Sequence, residues 1–110
     1  MSFRVEKISS ILKTAIGGIL LNKMNDPDLR TVSVSGVTLS GDLKTARIHV
    51  SSFDPETERI MKKLDHASGF IRRELSRSVY LKFLPDLQFV YDAAFEFDQK
   101  KSGLPADDEQ

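Results

Sequence analysis

The apolar residues of this chain change their spacing along its length, and that change restricts the fold more than any other feature. Over residues 4–21, Val5, Ile8, Leu12, Ala15, Ile16 and Ile19 recur every three or four positions, the spacing of one helix face. Over residues 31–39 and 46–51 the spacing drops to two, as on a half-buried strand. It returns to three or four from Ile60 to Val79, then to two over Leu87, Phe89 and Tyr91. The predicted order is helix, strand, strand, helix, kink, helix, strand. One apolar stripe per helix and one apolar side per strand imply an α+β fold, with the helices packed on one face of a three-stranded sheet.

The residues between these segments sharpen the reading. Gly17-Gly18 lies within the first helix, where each glycine costs about 1 kcal/mol relative to alanine. The pair predicts a weakened helix or, as the alternative, a close approach of another segment to its backbone. Asn25-Asp26-Pro27-Asp28 ends the helical pattern. In the first strand, Val32 and Val34 are in one register and Val37 and Leu39 in the other. A β-bulge near Ser35-Gly36 would keep all four on the core side. Ser40-Gly41-Asp42 reads as the turn of a hairpin. Asp54-Pro55 is expected to start the next helix, with Asp as cap and Pro in the first turn. Ala67-Ser68-Gly69 is expected to interrupt it. Ile60, Leu64 and Ala67 then face inward before the kink, and Ile71, Leu75 and Val79 after it. Phe95 and Phe97 would extend the last strand. Residues 98–110 read as a disordered acidic tail, which leaves residues 1–97 as the single folded domain.

Several function classes lack their residues. The chain has no cysteine, so disulfides and thiolate metal sites are excluded. His49 and His66 have no second histidine or glutamate at metal-ligand spacing. Neither GxGxxG nor GxxxxGK[ST] occurs, so no phosphate-cradling loop is recognisable. Asp54, Glu56 and Glu58 fit the acidic first turn of a helix better than a catalytic carboxylate pair. The sequence therefore points away from an enzyme and implies no cofactor and no metal. Met1 to Lys7 carries an acid early and no long apolar run, so no signal peptide is expected. The stretch Ala15–Leu21 is far short of the ~20 residues of a membrane span. A cytoplasmic monomer without membrane contact is the expectation.

A net charge of zero hides a split. Residues 1–83 hold 14 Lys and Arg against 9 Asp and Glu, whereas residues 84–110 hold 2 against 7. Residues 59–82 alone hold 7 basic and 2 acidic groups, an excess that points to an anionic partner. On a helical wheel Arg59, Lys62, Lys63 and His66 lie opposite Ile60, Leu64 and Ala67. Arg73 and Arg77 share a face after the kink, and Arg72 sits at its flank. Ser68 and Gly69 would open the second helix, where free amides suit a phosphate and forked arginine donors add to it. Only Tyr80 among the aromatics is on the basic side; Phe53, Phe83, Phe89 and Tyr91 read as core or edge. Folded or double-stranded RNA, recognised through shape and backbone, fits this better than a single strand. The competing readings are a solubilising helix face, or a protein-interaction module recruiting a partner along the third strand.

The element order resembles a type II KH domain, although the usual GxxG loop is replaced by Ala67-Ser68-Gly69 followed by Phe70-Ile71-Arg72. That segment is similar to the ribosome-binding factor A family, as are Arg4-Val5-Glu6-Lys7-Ile8, Val34-Ser35-Gly36-Val37, Gly41-Asp42-Leu43-Lys44-Thr45-Ala46 and the run from Leu84 to Asp92. The likeness extends over residues 4–97. It implies a factor that binds the immature small ribosomal subunit and its rRNA, assists late rRNA maturation, matters most in the cold and needs no cofactor. The resemblance also implies that an assembly GTPase assists its release in some bacteria. The RNA contact it implies falls on Ser68 and Gly69 with Lys62, Lys63, Arg72, Arg73 and Arg77; the charge pattern adds Arg59.

Overall fold

In a computed structural model of the protein, residues 3–92 are described. They form helix α1 (Phe3–Asn22), a 3-10 helix (Pro27–Thr31), strands β1 (Val32–Leu39) and β2 (Thr45–Ser52), helix α2 (Thr57–Ser78) and strand β3 (Asp86–Tyr91). The sheet order is β1-β2-β3, with β1 antiparallel to β2 and β3 parallel to β2. Both helices cover one sheet face, α1 against β1 and α2 against β3. Phe95, Phe97 and the expected tail lie outside the described residues.

The core forms where the apolar stripes meet. Leu12, Ile16 and Leu20 of α1, Ile48 and Val50 of β2, and Ile60, Leu64, Ile71 and Leu75 of α2 are all buried. Removing such side chains from water stabilises the fold by about 1.5–3 kcal/mol each. On β1 the register shifts between Val34 and Gly36, so the bulge lies where the alternation slips. Val34 pairs with Val50 on one side of it and Val37 with Ile48 on the other, and all four belong to the core side. The bulged Ser35 places its hydroxyl 3.2 Å from the His49 carbonyl and 2.8 Å from the Asp92 carboxylate. The bulge is thereby tied to the end of β3.

Three local expectations are corrected. The two helices expected around Ala67-Ser68-Gly69 are one continuous helix, α2. Ile60, Leu64, Ala67, Ile71 and Leu75 stay in phase across Gly69, so both halves bury the same face. That burial outweighs the ~1 kcal/mol cost of one glycine. Second, Asp54 does not cap α2. Its carboxylate accepts from the Glu56 amide at 2.8 Å in a turn that precedes the helix. Third, Gly17 and Gly18 neither interrupt α1 nor admit a close neighbour. The helix runs on to Asn22, and a Cβ built on either glycine would meet nothing within 4 Å.

The hairpin turn is held by side chains. Asp42 accepts from the Ser40 hydroxyl at 2.7 Å and from the Lys44 amide at 3.0 Å. Ser40 Oγ accepts from the Thr45 amide at 3.0 Å. The left-handed residue is Leu43, at φ 63°, and no glycine among the described residues takes a positive φ. The Ser40 hydroxyl and then the Lys44 amide hold the Asp42 carboxyl below its usual range.

Helical glycines in open space predict stabilisation on substitution. Gly17→Ala and Gly18→Ala are each expected to raise stability by about 0.5–1 kcal/mol, additional to the helix already formed. Urea denaturation of each variant checks this, and a loss of stability would show that the pair meets a constraint the backbone does not reveal.

Candidate nucleic-acid interface

The eight residues expected to contact RNA all lie on α2, but they divide among three sides of it. Lys62, Gly69, Arg73 and Arg77, with His66 and Ser76, follow one another at three- to four-residue intervals. They form a ridge that faces away from the core, and each of them is exposed. Arg59 and Lys63 turn toward the 3-10 helix, and Arg72 turns toward the loop before β3. Ser68 is half-buried, and its hydroxyl donates back to the Asp65 carbonyl at 2.9 Å. Because α2 is continuous, the Ser68 and Gly69 amides lie in a helix interior and not at an N-terminus with free donors.

Arg59 and Lys63 are locked into a carboxylate cluster. Asp26 caps the 3-10 helix by accepting from the Asp28 amide at 3.0 Å, which turns both carboxylates toward α2. Lys63 Nζ lies 2.8 Å from Asp26 and 2.6 Å from Asp28. Arg59 contacts Asp28, and also Asp54 at 2.6 Å and Glu56 at 2.7 Å. Two cations thus meet four carboxylates, so Arg59 and Lys63 do not offer their charge outward. Hydrogen bonding from Lys63, then from Arg59, holds the Asp28 carboxyl below its usual range. Lys63 likewise lowers Asp26. Asp26, then Asp28, raises Lys63, and Asp28, then Glu56, raises Arg59. Sequence reasoning missed this cluster because Asp28 and Lys63 are separated by 35 residues.

Arg72 has a second structural task. Its Nη2 donates to the Leu84 carbonyl at 3.0 Å and its Nε to the Pro85 carbonyl at 3.3 Å, fixing the loop that leads into β3. Arg77 pairs with Glu74 at 2.7 Å, yet its side chain is 72% exposed, so its charge still faces water. Lys62 and Arg73 form no ion pair or side-chain hydrogen bond among the described residues. The ridge therefore offers two uncommitted cations and one partly compensated arginine. Two aromatics expected in core or edge positions are outside: Phe53 and Phe83 are exposed. Each sits in a connection, not a strand, so alternation gives it no inward side.

The carboxylate cluster predicts a pH dependence. Asp26 and Asp28 have depressed values in the fold, so their contribution is present above the ordinary aspartate value, about pH 4. It is lost as pH falls through the depressed values. Asp28→Asn is expected to lower stability at neutral pH and to flatten the stability profile below about pH 4. Denaturation curves over a pH series check this; parallel acid limbs for variant and wild type would mean that the pairs add nothing.

Known proteins share this fold. Residues 4–104 match the family model described as ribosome-binding factor A. A ribosome-binding factor A from Syntrophus aciditrophicus is 37% identical over 99 residues, covering 86% of this chain and 78% of that protein. The crystal structure of ribosome-binding factor A from Thermus thermophilus superposes with a TM-score of 0.73 at 28% identity, covering 79% of this chain and 93% of that one. Coordinates of the Thermus thermophilus factor fitted into a cryo-EM map of its complex with the 30S subunit superpose with a TM-score of 0.67 at 29% identity, covering 77% and 91% of the two chains. A match along almost the whole folded region, with the same two helices on a three-stranded mixed sheet, leaves one conclusion: this chain belongs to the ribosome-binding factor A family.

Proposed function

We propose that the protein binds the immature small ribosomal subunit through its rRNA and assists the late maturation of that RNA. The observation that supports this best is the outward ridge of α2, where Lys62 and Arg73 are uncommitted and Arg77 remains exposed. Guanidinium forks match phosphate oxygens, and spacings of eleven and four residues, each close to whole helical turns, set the three cations in line along an RNA backbone. The fitted 30S complex of the Thermus thermophilus relative supports the same partner. Backbone recognition by a rigid helix requires no cofactor and no reaction at the protein. In this reading the protein acts as a monomer in the cytoplasm, an assembly GTPase assists its release, and cells depend on it most in the cold, where misfolded rRNA escapes slowly.

The outer edge of β3 pairs with no strand among the described residues, which favours strand addition by a protein as the second reading. Salt separates the two. Phosphate neutralisation releases counterions, so RNA affinity falls steeply with ionic strength, whereas strand addition is nearly insensitive to it.

Arg73→Ala is expected to weaken binding to isolated small subunits by about 1.5 kcal/mol, roughly tenfold. It should also reduce the salt slope by about one and leave folding stability unchanged. Arg59→Ala is expected to do the reverse, lowering stability with little change in affinity once folded. Pelleting with small subunits over a salt series, alongside denaturation curves, measures both. Equal affinity of the Arg73 variant and wild type would remove the ridge from the interface.

A further inference from the structure

The loop between α2 and β3 carries a feature the ridge does not explain. Val79 and Pro85 are buried at its ends and Leu81 and Leu84 are half-buried, yet Tyr80 is 102% exposed and Phe83 78% exposed. The loop is not loose. Arg72 grips the carbonyls of Leu84 and Pro85, the Val79 amide donates to the Leu75 carbonyl at 2.9 Å, and the Asp86 amide donates to the Lys44 carbonyl at 2.8 Å. Its two ends are thus fixed, and between them both rings lie in water, three residues apart in sequence.

The surroundings suit one kind of occupant. Phe83 forms a wall of a groove of about 650 Å3 between the start of α1, the hairpin turn and this loop. Its floor is apolar, built from residues such as Ile8, Leu39 and Leu43. Lys82 Nζ stands 5.7 Å from the Phe83 ring centroid, and Arg4 and Lys44 line the same groove. Asp42 and Asp86 also line it, so three cations face two carboxylates there. Exposed rings interleaved with cations provide π-faces for bases and charge for the phosphates between them. Every base has a π-face, so such a site needs no particular sequence.

We infer that Tyr80 and Phe83 of this loop, with Lys82 and Lys44, form a second RNA contact that stacks unpaired bases of rRNA, Phe83 doing so at the wall of this groove and Tyr80 on the exposed loop beside it. It is distinct from the α2 ridge, which has no Phe, Tyr or Trp and reads backbone only. The inference rests on the proposed binding of small-subunit rRNA and adds the class of RNA that the loop takes: single-stranded, not helical.

The test uses the full chain with a fluorescent oligoadenylate, a blunt RNA duplex of equal length and isolated small subunits. Tyr80→Ala and Phe83→Ala should each weaken oligoadenylate binding by about fivefold or more, while Tyr80→Phe and Phe83→Tyr retain it. Duplex binding should be unaffected by these four variants and reduced by Arg73→Ala. Both rings are exposed, so circular dichroism of the variants should match wild type. If the alanine variants bind oligoadenylate as wild type does while Arg73→Ala still weakens subunit binding, the stacking site is wrong and the proposed function stands. If wild type binds neither RNA nor subunits, both fail. If the alanine variants lose subunit binding although wild type binds no oligoadenylate, the rings meet a ribosomal protein and the stacking site is again wrong.

Discussion

The parallel pairing of β3 with β2 is the constraint on which the rest of the structure depends. Parallel neighbours cannot be joined by a tight turn; they need a crossover of a dozen residues or more. Here the crossover is α2, whose 22 residues span about 33 Å, whereas the eight residues of β2 span about 26 Å. The helix overshoots the strand. The chain must therefore come back through residues 79–85 to begin β3 beside the hairpin turn, where Asp86 pairs with Thr45. That return loop, and the groove it makes with the turn, are geometric consequences of the crossover.

The same crossover orients the charge. A helix laid on a sheet buries one stripe and turns the opposite stripe to solvent. With Ile60, Leu64, Ile71 and Leu75 held in the core, Lys62, Arg73 and Arg77 can only point outward. The flanks have other neighbours. On one side the 3-10 helix brings Asp26 and Asp28 to Lys63 and Arg59. On the other the return loop brings carbonyls to Arg72. The cations between residues 59 and 82 thus become a narrow outward ridge, a buttress against the 3-10 helix, a clamp on the loop and, at Lys82, a charge beside an exposed ring. Positive charge in the sequence is not the same quantity as positive charge offered to a partner.

The elements were legible because each depends on nearest neighbours in sequence. Spacing alone placed α1, the hairpin, the helical region and β3. The slip from Val34 to Val37 located the bulge, since a register error there would expose two core residues, Val37 and Leu39. The expected break into two helices failed for a related reason. Ser68 and Gly69 are poor helix residues taken singly, but Ala67, Ile71 and Leu75 keep the phase of Ile60 and Leu64, and burial of a common face prevailed over local propensity. Gly17-Gly18 shows the same override in α1, where Leu12, Ile16 and Leu20 on the core side hold the helix through the pair.

Hydrophobic spacing, bulge position, charge balance and family membership were properties of the sequence by itself, because each is written in local order or in residue identity. Which cations are free, which aromatics are exposed and where the groove opens were decided only by tertiary structure. The physical reason is that these depend on pairs distant along the chain: Asp28 with Lys63, Arg72 with Leu84, Lys44 with Asp86. A charge is neutralised, or a ring left in water, by whatever the fold places within a few ångströms of it, and linear order does not state that distance.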